Sequence, residues 1–166
     1  AQFDCSIQFL KNPADQLKSL TLRPDYLETP GFDEVVNYSE WTIPLGRRFR
    51  ALKLWFLIRA YGLDGLRQRI RNHIAWAEEA ERLIGETDGL EIITPCSFSL
   101  FTFACTDGDA ATAALLDRIN ADGRTYLTQT RHEGQYVIRF QVGQFDCTRE
   151  DVMTAVEVIG ELAEEV

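Results

Sequence analysis

Residues 43–56 read IPLGRRFRALKLWF, and they sit oddly in an acidic chain. Over 166 residues Asp and Glu number 26 against 17 Lys and Arg, a formal net charge of −9. Yet Arg47, Arg48, Arg50 and Lys53 crowd together just after Pro44 and Gly46. Beyond them Phe49, Leu52, Trp55, Phe56 and Arg59-Ala60 follow at spacings of three and four, the period of a helix entered at Pro44. Positive charge then meets the positive end of a helix dipole, which is unfavourable unless something compensates it.

Three readings of the basic run are open. It is a solvated helix face, or it pairs with carboxylates through the arginine fork, or it forms an anion site at a helix start with close backbone access at Gly46. The interleaved Phe49, Leu52 and Leu54 weigh against simple solvation, because they press the arginines against apolar surface. Lys53 is a poor Schiff-base lysine, since the arginines beside it leave no defined cofactor pocket.

Downstream, Gly62 interrupts the pattern. A second helix is expected over about 63–83, with Leu66, Ile70, Ile74, Ala77 and Leu83 along one face. After Asp88-Gly89 the signals change to short strands: Leu90–Thr94, then Ser97–Cys105 (SFSLFTFAC), rich in aromatics. Asp107-Gly108-Asp109 opens a helix carrying Ala110, Ala114, Leu115 and Ile119, closed by Gly123 as a left-handed cap. Strands over Thr125–Thr130 and Tyr136–Val142 flank a hairpin turn at Arg131–Gly134. Tyr136, Ile138, Phe140 and Val142 share one face of the second of these. Thr148…Asp151 reads as a capping box with Asp in the place of Glu or Gln, starting a helix with Val152, Ala155, Val156, Ile159 and Leu162. The order β-β-α-β-β-α predicts an antiparallel sheet with helices on one side, an α+β unit.

Upstream, residues 5–11 read as a strand with nothing before it to pair with, as if cut from something longer. Residues 12–40 show no sustained period and carry Pro13, Pro24, Pro30 and Gly31. They read as a lid or binding loop, with a short turn at Leu17–Leu20. Tyr26 is the exposed aromatic of that loop. On residues alone it folds onto the surface, although a lid tyrosine can act as a general acid once water is excluded.

The net charge argues against a nucleic-acid or anionic-membrane binder, and no apolar run reaches membrane length. Cys5, Cys96, Cys105 and Cys147 form no C-x-x-C pair, and His73 and His132 are the only two histidines, so no metal site is expected. The cysteines read as reduced thiols of a cytoplasmic protein. His73 reads as packing or surface, His132 as a solvated turn residue, and Arg139 as the partner of a structural acid.

Phe3-Asp4-Cys5-Ser6, Tyr26-Leu27, the run W-x-I-P-L-G-R-R-F-R-x-L-K-x-W-F over 41–56 and Arg59-Ala60-Tyr61-Gly62 closely resemble the aromatic-L-amino-acid decarboxylase family, the group II pyridoxal-phosphate-dependent decarboxylases. Gly65-Leu66…Ile70-Arg71…His73, Arg118-Ile119-Asn120 and Tyr136–Phe140 extend the resemblance over essentially the whole chain.

The resemblance implies an α/β parent of aspartate-aminotransferase-like (type I) fold, working as an intertwined homodimer. This chain would be its C-terminal third. Residues 1–45 would be a remnant of the large cofactor domain, with its last strand and active-site loop. Residues 46–86 would be connecting helices and 87–166 the small α+β domain. The family's cofactor lysine stands in an H-K-W segment just before the Phe-Asp-Cys-Ser strand, and Lys11, Lys18 and Lys53 have no such context. The chain alone, without its large domain, is therefore expected to be inactive.

Three residues inherit roles by resemblance. Tyr26 matches the loop tyrosine that returns a proton to the substrate carbon after carbon dioxide leaves, while pyridoxal phosphate acts as electron sink. Phenylalanine there accompanies aldehyde formation, so Tyr26 favours true decarboxylation. Gly46 matches a position beside the substrate ring and cofactor phosphate, contributed across the dimer, and the Leu45-Gly46 backbone would line that site. By the resemblance, glycine there accompanies bulky aromatic substrates such as dopa or tryptophan, while serine accompanies histidine or some tyrosine specificities; the expected substrate is an aromatic L-amino acid of dopa, tryptophan, tyrosine or phenylalanine type. The alternatives are an aldehyde synthase or other amino-acid decarboxylase of the family, or a stand-alone α+β dimerisation or binding module.

Overall fold

A computed structural model describes residues 4–21, 35–44, 46 and 48–164. The chain divides into two compact units, Ala1–Leu63 and Asp64–Val166.

In the first unit the expected strand over 5–11 does not form: described residues 4–11 carry no regular structure. An isolated extended segment leaves its N–H and C=O groups to water, and no described strand of the unit offers it a ladder. The supposed loop contains helix α1, Pro13–Leu20, capped by the Asn12 side chain, which accepts the Ala14 N–H at 3.3 Å. Pro13 occupies the helix start, where its missing N–H costs nothing, so a residue that reads as a loop marker is a helix-entry marker. A 3-10 turn follows at Tyr38–Trp41. Gln16 Nε2 donates to the Trp41 carbonyl at 2.6 Å, tying α1 to that turn.

Helix α2 spans Ala51–Gly85 and is broken at Gly62, whose φ of 66° and ψ of 164° are non-helical. It starts well after the Pro44 entry that the periodicity predicts. The backbone before it turns tightly instead, with the Arg50 N–H bonded to the Arg48 carbonyl at 2.8 Å and the Lys53 N–H to the Arg50 carbonyl at 3.2 Å. Glu40 is the only buried one among the described residues of this unit, and Ile7, Phe9, Ile43, Phe49, Trp55 and Phe56 are exposed.

The second unit is the expected α+β domain. Strands β1 (Leu90–Ser97), β2 (Leu100–Cys105), β3 (Thr128–His132) and β4 (Gln135–Gln141) alternate with helices α3 (Asp109–Asp122) and α4 (Arg149–Ala163). The sheet is antiparallel in the order β1-β2-β4-β3, so β4 returns to the centre beside β2. Phe98 and Ser99 form the β1–β2 turn rather than strand. Phe101 faces Phe140 across the β2–β4 ladder, with ring centroids 5.0 Å apart. Phe103, Ile138, Leu115, Ile119, Val152 and Ile159 complete the core between sheet and helices. Glu133 and Gly134, at φ 49° and 92°, make the two-residue hairpin turn. Gly123 caps α3 in the left-handed conformation.

The part of α2 in this unit buries Ala77, Ala80 and Ile84, whereas Ile70 is 58% exposed. The inward stripe runs through Leu66, Arg69, His73 and Trp76, all partly buried. Hydropathy misses two of these because they are polar. Arg69 lies 4.0 Å over the Phe145 ring and donates to the Phe145 carbonyl, pinning the β4–α4 connection. Asn120 staples α3 to the approach of β3: its amide donates to the Leu127 carbonyl at 3.1 Å and accepts the Leu127 N–H at 2.8 Å.

The capping box is present with Asp151. Its carboxylate accepts the Thr148 N–H at 2.8 Å, while Thr148 Oγ1 accepts the Asp151 N–H at 3.3 Å. Thr148→Ala is expected to lower unfolding stability by about 1 kcal/mol in urea titrations. The Thr148 backbone and hydroxyl hydrogen bonds hold the Asp151 carboxyl below its usual range. A depressed folded-state pKa gives stability that is present above the ordinary carboxylate range and lost as pH falls through the depressed value. The Thr148→Ala deficit should therefore shrink in acid.

Candidate active site

The basic run finds its counter-charge inside its own unit. Arg50 Nη2 lies 2.8 Å from Asp4 Oδ2. Lys53 Nζ lies 4.0 Å from Asp4 Oδ1 and donates to the Asp4 carbonyl at 3.3 Å. The Arg50 hydrogen bond is the main cause that holds the Asp4 carboxyl down at about 2. This answers the dipole problem at the head of α2: a carboxylate from a distant part of the chain offsets the cations. The pairing reading of the basic run holds for Arg50 and Lys53. Close by, Arg59 lies 5.9 Å over Trp55, which packs edge-on against Phe56 at 5.1 Å.

Gly46 is exposed. A Cβ placed on it would meet no described atom within 4 Å, and its φ lies outside the left-handed range. The described residues of this chain therefore do not require a glycine there, for space or for backbone conformation. Tyr26, Leu45 and Arg47 lie outside the described residues.

The other candidates have structural surroundings. Burial, with the nearby Arg69 charge, pushes His73 down; its ring lies 5.7 Å from Trp76. His132 ends β3 and is exposed, rather than lying in the turn. Arg139 donates to the Thr128 hydroxyl at 3.4 Å, where an acid was expected, because Thr128 is its cross-strand neighbour. Burial pushes the Cys96, Cys105 and Cys147 thiols up, as expected of inert cysteines.

The second unit has a cavity of about 620 Å³, bordered by Tyr126, Leu127, Phe140, Val142, Cys147 and Asp151 among others. None of its lining residues is a lysine or a residue to which the resemblance gives a site role. Lys11 and Lys18 are exposed, and the Lys53 ammonium is engaged with Asp4. A lysine that binds an aldehyde cofactor needs a desolvated amine. The described residues thus do not by themselves build a site for pyridoxal phosphate, and Gly46 offers at most one edge of it.

Residues 1–106 match the pyridoxal-dependent decarboxylase conserved domain, and the chain belongs to that family. It is 40% identical over 150 residues to tyrosine decarboxylase 2 of Narcissus pseudonarcissus, covering 85% of this chain and 30% of that protein. It is 35% identical over 173 residues to phenylacetaldehyde synthase of Arabidopsis thaliana, covering 97% of this chain and 35% of that protein. A crystal structure of Oryza sativa TDC with PLP and tryptamine superposes with a TM-score of 0.82 at 32% identity, over 90% of this chain and 33% of that one. The chain spans about a third of the length of these relatives.

Proposed function

We propose that the protein carrying this chain is a pyridoxal-phosphate-dependent decarboxylase that converts an aromatic L-amino acid into its amine and carbon dioxide. The match of residues 1–106 to the decarboxylase domain carries this reading. Within it, residues 1–45 belong to the large domain, 46–86 connect, and 87–166 form the small domain. Tyr26 donates a proton to the substrate carbon that has lost carbon dioxide. The Leu45-Gly46 backbone lines the site beside the substrate ring, across a homodimer interface in a cytoplasmic enzyme. Two observations favour this placement. No described contact of the chain requires a glycine at 46, and the first unit exposes a large set of apolar side chains that suits burial against a partner.

The test supplies the full-length protein with pyridoxal phosphate and, separately, dopa, tryptophan, tyrosine and phenylalanine. Amine and carbon dioxide in equal amounts are expected, and turnover of none of the four would overturn the reading. The 166-residue chain alone is expected to give no sustained turnover. Gly46→Ser should leave the fold intact, because a Cβ meets open space. It should lower kcat/KM for the bulkiest substrates by about 10-fold to 200-fold, the usual effect of a small group added to a pocket wall.

An aldehyde synthase is the second reading, favoured by the phenylacetaldehyde synthases among the relatives. It would consume dioxygen and water and release the aldehyde, carbon dioxide, ammonia and hydrogen peroxide, and Tyr26 weighs against it.

A further inference from the structure

We propose that the cavity of the second unit binds a small primary ammonium ion carrying an aromatic ring. That is the chemical class of the amine released in the function proposed above, and only the source of the amine rests on that reading. The cavity holds about 620 Å³, within the range of small-molecule sites. It lies between the α3–β3 connection, the end of β4 and the first turns of α4, all within one unit. Its floor is apolar: Leu127, Phe140, Val142 and Val152 border it and are buried. At its rim stands Tyr126, 76% exposed, a ring on which a second ring or a cation can pack.

The walls are biased towards a cation. They carry Asp146 and Asp151 against Arg124. Arg124 is already answered, since it donates to Asp122 at 2.7 Å and to Glu161 at 2.7 Å. Asp151 Oδ2 serves the α4 cap. Asp146 is exposed and has no hydrogen-bond or ion-pair partner among the described residues. The helix ends point the same way. α3 closes at Gly123 on the cavity wall with no basic residue in its last turn, so its terminal carbonyls favour positive charge. α4 begins beside the cavity, but Glu150 and Asp151 in its first turn offset its positive end. An anion would meet no unanswered cation among the described wall residues, whereas an aromatic amine matches both the carboxylate and the floor.

The experiment follows amide hydrogen exchange in the full-length protein with three probes. Phenethylamine carries both ring and ammonium, phenethyl alcohol the ring alone, and hexylamine the ammonium alone. Phenethylamine is expected to slow exchange at 123–127 and 143–147, half-maximally at about 1 mM or below. The other two should need at least about tenfold more, for want of the charge-assisted bond or of the ring contacts. Asp146→Asn, at an exposed and unpaired position, should leave exchange of the free protein as in the parent. It should raise the half-maximal phenethylamine concentration about tenfold or more, the loss of one hydrogen bond to a charged group. Equal slowing by all three probes, slowing by none, or an unchanged half-maximal concentration in Asp146→Asn would overturn the site. If the slowing is found and depends on Asp146 while the parent turns over no aromatic amino acid, the site stands and the function reading fails. Turnover without slowing would do the reverse.

Discussion

Under the proposed decarboxylase function, Tyr26→Phe in the full-length protein is expected to lower amine formation by about 10²-fold to 10⁴-fold, the usual contribution of a positioned general acid. The substitution removes one oxygen and keeps the ring, so the effect isolates the proton. Without a donor at that face, the carbon that has lost carbon dioxide stays electron-rich for longer and is open to oxidation by dioxygen, which is reduced to hydrogen peroxide, with water then releasing the aldehyde and ammonia. The residual product should therefore shift from amine towards aldehyde, with hydrogen peroxide in step. The measurement is amine, aldehyde and peroxide from one reaction. A variant that kept the parental product ratio would remove Tyr26 from the proton-donor role.

Phe103→Ala is expected to destabilise the second unit by about 3–5 kcal/mol, the range for truncating a buried phenylalanine. Phe103 has no solvent exposure and sits on the central β2 strand, opposite Ile92 on one side and Ile138 on the other. Removing its ring deletes contacts to both neighbours and leaves a cavity that strands fixed on either side cannot close. A domain of this size is stable by only about 5–15 kcal/mol, so the variant should melt at least 10 °C lower. Phe98→Ala is the control. Phe98 is 80% exposed in the β1–β2 turn, and its loss should shift stability by about 0.5 kcal/mol or less. Equal effects from the two substitutions would contradict the observed register. Urea unfolding of the 166-residue chain makes the comparison.

SFSLFTFAC shows why this distinction needs a structure. Its three phenylalanines are equally apolar in sequence, and the run reads as one strand. The hairpin turn at Phe98-Ser99 sends the first outward and the next two inward. Other elements were legible because their signals are local. Thr148…Asp151, Gly123 and Gly134 act within a turn of their own position, and each is found doing what its residue type predicts; the hairpin turn is narrower than the expected Arg131–Gly134, and Glu133 takes a positive φ that its type does not favour. Asn12-Pro13 is equally local, but a proline reads as a loop marker as readily as a helix start, and that ambiguity hides α1.

The candidate site was legible in a different way. The run at 41–56 identified the family, yet local physics left its charges unexplained. The helix stripe through Arg69 and His73 escaped the periodicity because hydropathy assigns polar residues to water. Arg69 is turned inward by Phe145, a contact 76 residues away.

By itself the sequence determined the α+β order of the second unit, its caps and turns, and membership in the pyridoxal-dependent decarboxylase family, because these depend on neighbouring residues or on a long specific motif. Only the tertiary structure decided which acid answers the basic run at the head of α2. Asp4 stands far from Arg50 and Lys53 in sequence, and nothing in residue type or spacing says that they meet. Charge pairing acts through space, at 2.8 Å here, and the distance exists only once the chain has folded.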